Sequence, residues 1–76
     1  MEISNLNVAR SYVGCNVNLH LKDGSVIVNV LVTEAIPSRR NGGAVIRLTT
    51  PKRKKAMKIS LKEIAWAERL NPHLLS

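Results

Sequence analysis

The chain has 76 residues and a formal net charge of +7, so it forms one small domain and favours polyanionic partners. Nucleic acid ranks ahead of an anionic membrane, because membrane binding needs a basic amphipathic helix and the basic residues here fall on strands and loops. A single cysteine excludes an internal disulfide, two distant histidines do not make a zinc motif, and we expect no cofactor.

The N-terminal segment, MEISNLNVAR, lacks the basic and apolar regions of a signal peptide, and no apolar stretch is long enough to span a membrane. We therefore predict an intracellular protein, cytoplasmic or nucleoid-associated. Residues 4–13 are predicted to form a short helix that is capped by Ser4 and stopped by Gly14.

The segment CNVNLHLK alternates apolar and polar residues, which predicts a half-buried strand with Val17 and Leu19 facing inward. Asp23 and Gly24 follow, and Asp-Gly between two strand-like runs predicts a tight turn in which both residues have positive φ. The next run, SVIVNVLVTEA, is apolar on both sides and predicts a long, bent central strand. One face of this strand is predicted to carry Val26, Val28, Val30 and Val32.

Three more strands are predicted after the turn-forming segment IPSRRNGG. AVIRLTT and AMKISL form the third and fourth strands, with the basic segment PKRKK between them. KEIAWAERL is predicted to be a 3₁₀ turn and a fifth strand with Trp66 in the core, and a helix is the alternative. The predicted fold is mainly β: a small, strongly bent, five-stranded antiparallel barrel (15–70) with a short N-terminal helix and a tail (71–76).

Aromatic residues make up only 3% of the chain, so the core is predicted to be aliphatic and thin. Small domains with thin cores often gain buried surface by association, and the C-terminal HLLS offers two leucines for a neighbouring copy. We therefore expect a homo-oligomer, at least a dimer.

Two stretches carry a resemblance to known small barrels. YVGCNVNLHLKDGSVIVNVLV resembles the first motif of the Sm-like (LSm and Hfq) family, and ISLKEIAWAE resembles the closing strands of Src-homology-3-like barrels. The family's uridine-reading motifs, an Asp-x-x-Met-Asn-like stretch and an Arg-Gly pair, are replaced here by TEAIPSRRNGG and TTPKRKKAMK. The resemblance therefore implies the fold and a ring or dimer, and it assigns no base-binding residue.

Eight of the 12 basic residues lie between positions 39 and 58, where the sequence has no acid. They are Arg39, Arg40, Arg47, Lys52, Arg53, Lys54, Lys55 and Lys58. Like charges concentrated in two neighbouring loops repel one another, and a phosphate backbone relieves that repulsion. We therefore predict a regulatory or accessory protein that binds RNA or DNA through phosphates, with weak sequence specificity.

Other interpretations of the basic segment are a non-catalytic module for an acidic protein partner, a nuclear localisation signal and a solvated hairpin tip. A localisation signal must be extended, whereas this segment is predicted to be held between two strands. No enzyme is predicted, because the sequence lacks paired carboxylates, a nucleophile motif and a phosphate-cradling loop. His20 is predicted to be solvated, Cys15 to be buried, and the two aromatic residues to form no base-stacking surface.

Overall fold

The computed structural model describes residues 5–40, 43–50 and 56–70. The elements in chain order are α1 (Leu6–Ser11), β1 (Asn16–Leu21), β2 (Val26–Ser38), β3 (Gly43–Thr49), β4 (Ala56–Ser60), a 3₁₀ turn (Leu61–Glu63) and β5 (Ile64–Arg69). The strands form one antiparallel sheet in the order β4-β3-β2-β1-β5. The predicted mainly β fold with five antiparallel strands and a short N-terminal helix is confirmed, as is the choice of strand over helix for β5.

The sheet is bent but not closed, so the word barrel describes it only loosely. Its two edges are β4 and β5, which follow one another in the chain through the 3₁₀ turn. The bend comes from β2, which pairs with β1 along its first half and with β3 along its second half. Leu31 belongs to both ladders, opposite Asn16 on one side and Thr49 on the other.

Helix α1 begins one residue later than the sequence predicts. Asn5, and not Ser4, is the N-cap: its side-chain oxygen accepts a hydrogen bond from the Val8 N–H at 2.9 Å. Both residue types are good caps, so their order in the chain does not distinguish them. The helix ends at Ser11 with Tyr12 as its C-cap, so it is shorter than the predicted 4–13. Gly14 follows in the turn, with φ at +86° and its N–H donating to the Val32 carbonyl at 2.8 Å. This hydrogen bond orients the backbone at the start of β1.

The turn between β1 and β2 has one left-handed residue, where the sequence predicted two. Gly24 has φ of +94°, and Asp23 is outside the positive-φ region. Leu21 and Ser25 close the loop through an N–H to carbonyl bond of 2.9 Å, and three loop residues with glycine last make a turn followed by a bulge. The Ser25 hydroxyl and N–H both donate to the Asp23 carboxylate, which lowers the pKa of that carboxyl.

A bulge at Asn29 divides the predicted valine face of β2. Asn29 has φ of +53°, and between the pairs Val17–Val30 and Leu19–Ile27 the second strand advances by one residue more than the first. Side chains on the two sides of the bulge therefore point to opposite faces. Val30 and Val32 are fully buried, whereas Val26 is 45% exposed and Val28 is 65% exposed. The prediction of one continuous valine face is wrong for this reason.

The core lies between the inner face of the sheet and α1. It contains Ala9, Tyr12, Val17, Leu19, Val30, Val32, Ala44, Ile46, Leu48, Ile59, Leu61, Ile64 and Ala67. This set is aliphatic, as predicted, apart from Tyr12. The guanidinium of Arg69 lies 4.8 Å from the centre of the Tyr12 ring and donates to the Ser11 carbonyl, which ties the end of α1 to β5. Within the described ranges, no helix has the length and apolar character that crossing a bilayer demands.

The conformation of Asn29 generates a first prediction. Asn29→Ala should lower the free energy of unfolding by about 1–3 kcal/mol, because a left-handed backbone is unfavourable for alanine and a side-chain hydrogen bond is lost. Asn29→Gly should be less damaging, since glycine adopts this conformation freely, although glycine ordinarily weakens a strand more than alanine does. Urea denaturation of both variants gives the order, and a glycine variant less stable than the alanine variant contradicts the bulge.

Candidate nucleic-acid interface

The predicted basic residues that the structure describes lie on β3, on β4 and just before β3. Arg39 and Arg40 are exposed just before β3, in the connection from β2. The four residues Lys52, Arg53, Lys54 and Lys55 belong to the connection from β3 to β4 and lie outside the described residues. A strand of seven residues separates the two connections by about 20 Å. The two basic loops are thus at opposite ends of β3, and the sequence-based picture of neighbouring loops needs this correction.

Arg47 and Lys58 connect the two ends. They are directly opposite each other in the β3–β4 ladder, and they point away from the core because Ile46 and Leu48 on either side of Arg47 are buried. Lys58 is exposed, and Arg47 is partly so. We call Arg39, Arg40, Arg47 and Lys58 the basic strip, which follows the outer face of the hairpin from the β2–β3 turn toward the β3–β4 connection.

An acid that the sequence analysis did not associate with this surface lies beside it. Glu34 is opposite Arg47 in the β2–β3 ladder, and the two side chains form an ion pair of 3.3 Å. Both side chains remain substantially exposed, at 53% and 38%, so the pair contributes little to stability and leaves the guanidinium accessible. Glu34 was missed because it precedes the acid-free segment in the chain and meets it only through strand pairing.

A stacked aromatic pair occupies the other side of the outer face. His20 and Trp66 are opposite each other in the β1–β5 ladder, with ring centroids 3.7 Å apart and ring planes within 8°. Trp66 is 40% exposed, so its predicted place in the core is wrong. His20 is partly buried by the stack and not simply solvated. The cause is a second register shift next to His20, which lets Ile64 point inward while Trp66 points outward.

A chain of polar side chains holds this pair in place. Glu68 Oε1 accepts a hydrogen bond from the Asn18 amide at 3.1 Å and lies 3.8 Å from His20 Nε2. Asn18 in turn accepts the N–H of Asn29 at 2.8 Å, so the donor freed by the bulge is paired. The Asn16 amide donates to the Asn29 side-chain oxygen at 3.2 Å. The polar face of β1 is therefore an ordered network rather than a solvated surface.

The remaining candidates offer little chemistry. Cys15 is a free, half-buried thiol that packs against the core. In ranges 5–40, 43–50 and 56–70, no three His, Cys, Asp or Glu side chains are grouped so that they could hold a metal ion. An open depression of about 330 Å³ beside the β1–β2 turn is lined by Leu21, Lys22, Asp23, Lys62 and Glu63. Its charges are balanced, so it favours no charged ligand.

Comparisons of the chain with models of protein families, with curated proteins and with solved structures found no match. The Sm-like resemblance of residues 4–36 therefore stays a prediction from the sequence.

The exposure of Trp66 can be measured directly, because it is the only tryptophan in the chain. Its fluorescence should be quenched by acrylamide much more efficiently than that of a buried indole, since two fifths of the residue is open to solvent. His20→Ala should increase the quenching further by uncovering the stacked face. If acrylamide quenches the emission of neither protein, Trp66 is buried in the core, as the sequence predicted, and the exposed position is wrong.

Proposed function

We propose that the protein binds nucleic acid, RNA or DNA, by contacting the phosphate backbone through the basic strip and the β3–β4 connection, with weak sequence specificity. The observation that carries this proposal is the placement of Arg47 and Lys58 as neighbours on the outer face of the hairpin formed by β3 and β4. The role we propose is regulatory or accessory, and non-catalytic, in the cytoplasm or on the nucleoid.

Electrostatics supports this choice of ligand. Basic residues on two adjacent strands and in the turn before β3 suit a linear polyanion better than a compact one, because a backbone presents a phosphate at regular intervals along its length. The net charge of +7 adds a long-range attraction that speeds encounter with such a ligand. An acidic protein surface is the alternative partner, and it becomes the favoured one if nucleic acid does not bind.

We also propose that the chain forms a homo-oligomer, a dimer or a ring. The position of β4 and β5 at the edges of the sheet supports this, since edge strands are a common place for a second copy to pair. The order of α1, Gly14, β1, a Lys-Asp-Gly turn and a long β2 agrees with the Sm-like resemblance, on which the ring alternative rests.

Assembly is tested by sedimentation. At high micromolar concentration the protein should sediment as a dimer or larger species, because pairing an edge strand extends the sheet and covers exposed backbone. A monomer throughout this concentration range would contradict the proposed assembly and would leave the phosphate contacts unaffected.

The salt dependence of binding tests the function. If about four phosphates are neutralised per protomer, log affinity should fall with log salt concentration at a slope of about −3 to −4, because each phosphate contributes about 0.7–0.9. Reversing Lys52, Arg53, Lys54 and Lys55 to Glu should abolish binding. Fluorescence anisotropy with labelled oligonucleotides measures both effects.

A matched pair of variants distinguishes binding at the basic strip from attraction by the net charge of the protein. Lys58→Glu and Lys22→Glu change the net charge equally, and both lysines are exposed, but only Lys58 lies on the basic strip. Lys58→Glu should weaken binding and make the slope shallower by about 0.7–0.9, whereas Lys22→Glu should leave the slope unchanged. Equal effects of the two variants would show attraction by net charge alone and would overturn the assigned surface.

A further inference from the structure

The outer face of the sheet carries two surfaces of different chemistry, and the proposed phosphate contacts use only one of them. The second surface is a cross-strand row of Trp66, His20 and Val26, which the β5-β1-β2 pairing places side by side. We call Trp66 and His20 the aromatic shelf. Val26 and Val28 extend the shelf with exposed apolar surface.

Trp66 stacks on one neighbour and is still accessible. The imidazole of His20 lies on one face of its ring at 3.7 Å, and the residue as a whole is 40% exposed. Trp66 is on β5, an edge strand, and no further strand of this chain stands beside it in the described sheet. A flat molecule could therefore continue the stack outward from the sheet.

A hydrogen-bond acceptor accompanies this partly exposed indole. Glu68 is two residues further along β5, so its side chain emerges on the same face as Trp66, and it is 51% exposed. Its Oε1 is held by Asn18, while the structure gives Oε2 no partner among the described residues. His20 Nε2 is buried without a hydrogen bond and lies 3.8 Å from Oε1. The site thus combines a partly exposed, stacked indole with an oriented carboxylate.

We propose that the aromatic shelf stacks an unpaired base of a single-stranded nucleic acid, and that Glu68 accepts a hydrogen bond from the amino group of that base. This rests on the proposed function and extends it in two ways. The ligand becomes a single strand, because the bases of a duplex are already stacked and paired. Adenine, cytosine and guanine are preferred over thymine and uracil, which carry no exocyclic amino group.

The separation of charge on the outer face favours this occupant over an apolar or acidic protein. Glu68 repels phosphate from the shelf and attracts an N–H donor. Arg47 and Lys58 attract phosphate on β3 and β4, toward the other edge of the sheet. β4 and β5 are the two edges of the sheet, with three strands between them along the sheet. A single strand that contacts both surfaces must therefore cross the outer face, and small oligonucleotide-binding folds bind about 4–16 nucleotides.

The experiment follows Trp66 emission during titration with single-stranded oligonucleotides of about 12 nucleotides and with duplexes of the same sequence. We expect quenching by the single strands that saturates together with anisotropy, and no quenching by the duplexes. Trp66→Ala should weaken single-strand binding by about 5- to 150-fold and leave the salt slope unchanged, because stacking releases no counterions. Trp66→Phe should retain most of the affinity, which guards against a folding defect in the alanine variant.

Two further variants test the details. Glu68→Gln should bring the affinity ratio between oligo(dC) and oligo(dT) closer to one, since it removes the charge that favours an amino donor. Val13→Ala is the matched control: it alters an exposed apolar residue in the turn after α1, outside the shelf, and should change affinity less than twofold.

The outcomes distinguish this inference from the function on which it rests. Salt-dependent binding without a change in Trp66 emission, and with Trp66→Ala within twofold of wild type, would overturn the base-stacking proposal and leave the phosphate contacts standing. Equal binding of duplex and single strand would also overturn it. Failure of every oligonucleotide to bind at low salt would instead remove the proposed function, and the stacking proposal with it.

Discussion

The left-handed backbone at Asn29 is the constraint on which the rest of the sheet depends. It turns a run of valines that would fill one face into two pairs that face opposite ways, so that Val30 and Val32 enter the core while Val26 and Val28 do not. It also frees a backbone N–H, which Asn18 accepts. Asn18 is thereby fixed in the orientation in which its amide group donates to Glu68. A local irregularity of one strand therefore orders side chains on two others.

The outer face that results is polar and ordered on one side and basic on the other. Neither half is required by the core, which lies entirely on the inner face and under α1. Stability and recognition are thus carried by opposite faces of the same strands, an arrangement that antiparallel sheets permit because successive side chains alternate between faces. The ion pair between Glu34 and Arg47 lies in the basic half, yet both groups remain open to solvent.

The sequence predicted the helix and strands well, but it predicted less well which side chains of each strand point to the core. Alternation over 15–21, the Asp-Gly turn and the order of the later strands were sufficient to predict five strands and the 3₁₀ turn, although β2 continues through Ile36, Pro37 and Ser38, which were predicted to belong to a turn. Bulges were not predictable, because one extra residue changes neither composition nor strand propensity but reverses every side chain beyond it. The misplaced Trp66 and the divided valine face share this cause. The spacing of the basic loops and the contact with Glu34 required the strand register, which windows of sequence do not contain.

The pairing of β1 with β5 has a consequence for the order in which the molecule assembles. The first four strands form successive hairpins between neighbours in the chain, whereas the Asn18–Glu68 contact joins residues 50 positions apart. Closing so long a loop is entropically slower than forming a local hairpin, so we expect β5 to dock after the other strands. The His20–Trp66 stack consequently reports the completed fold.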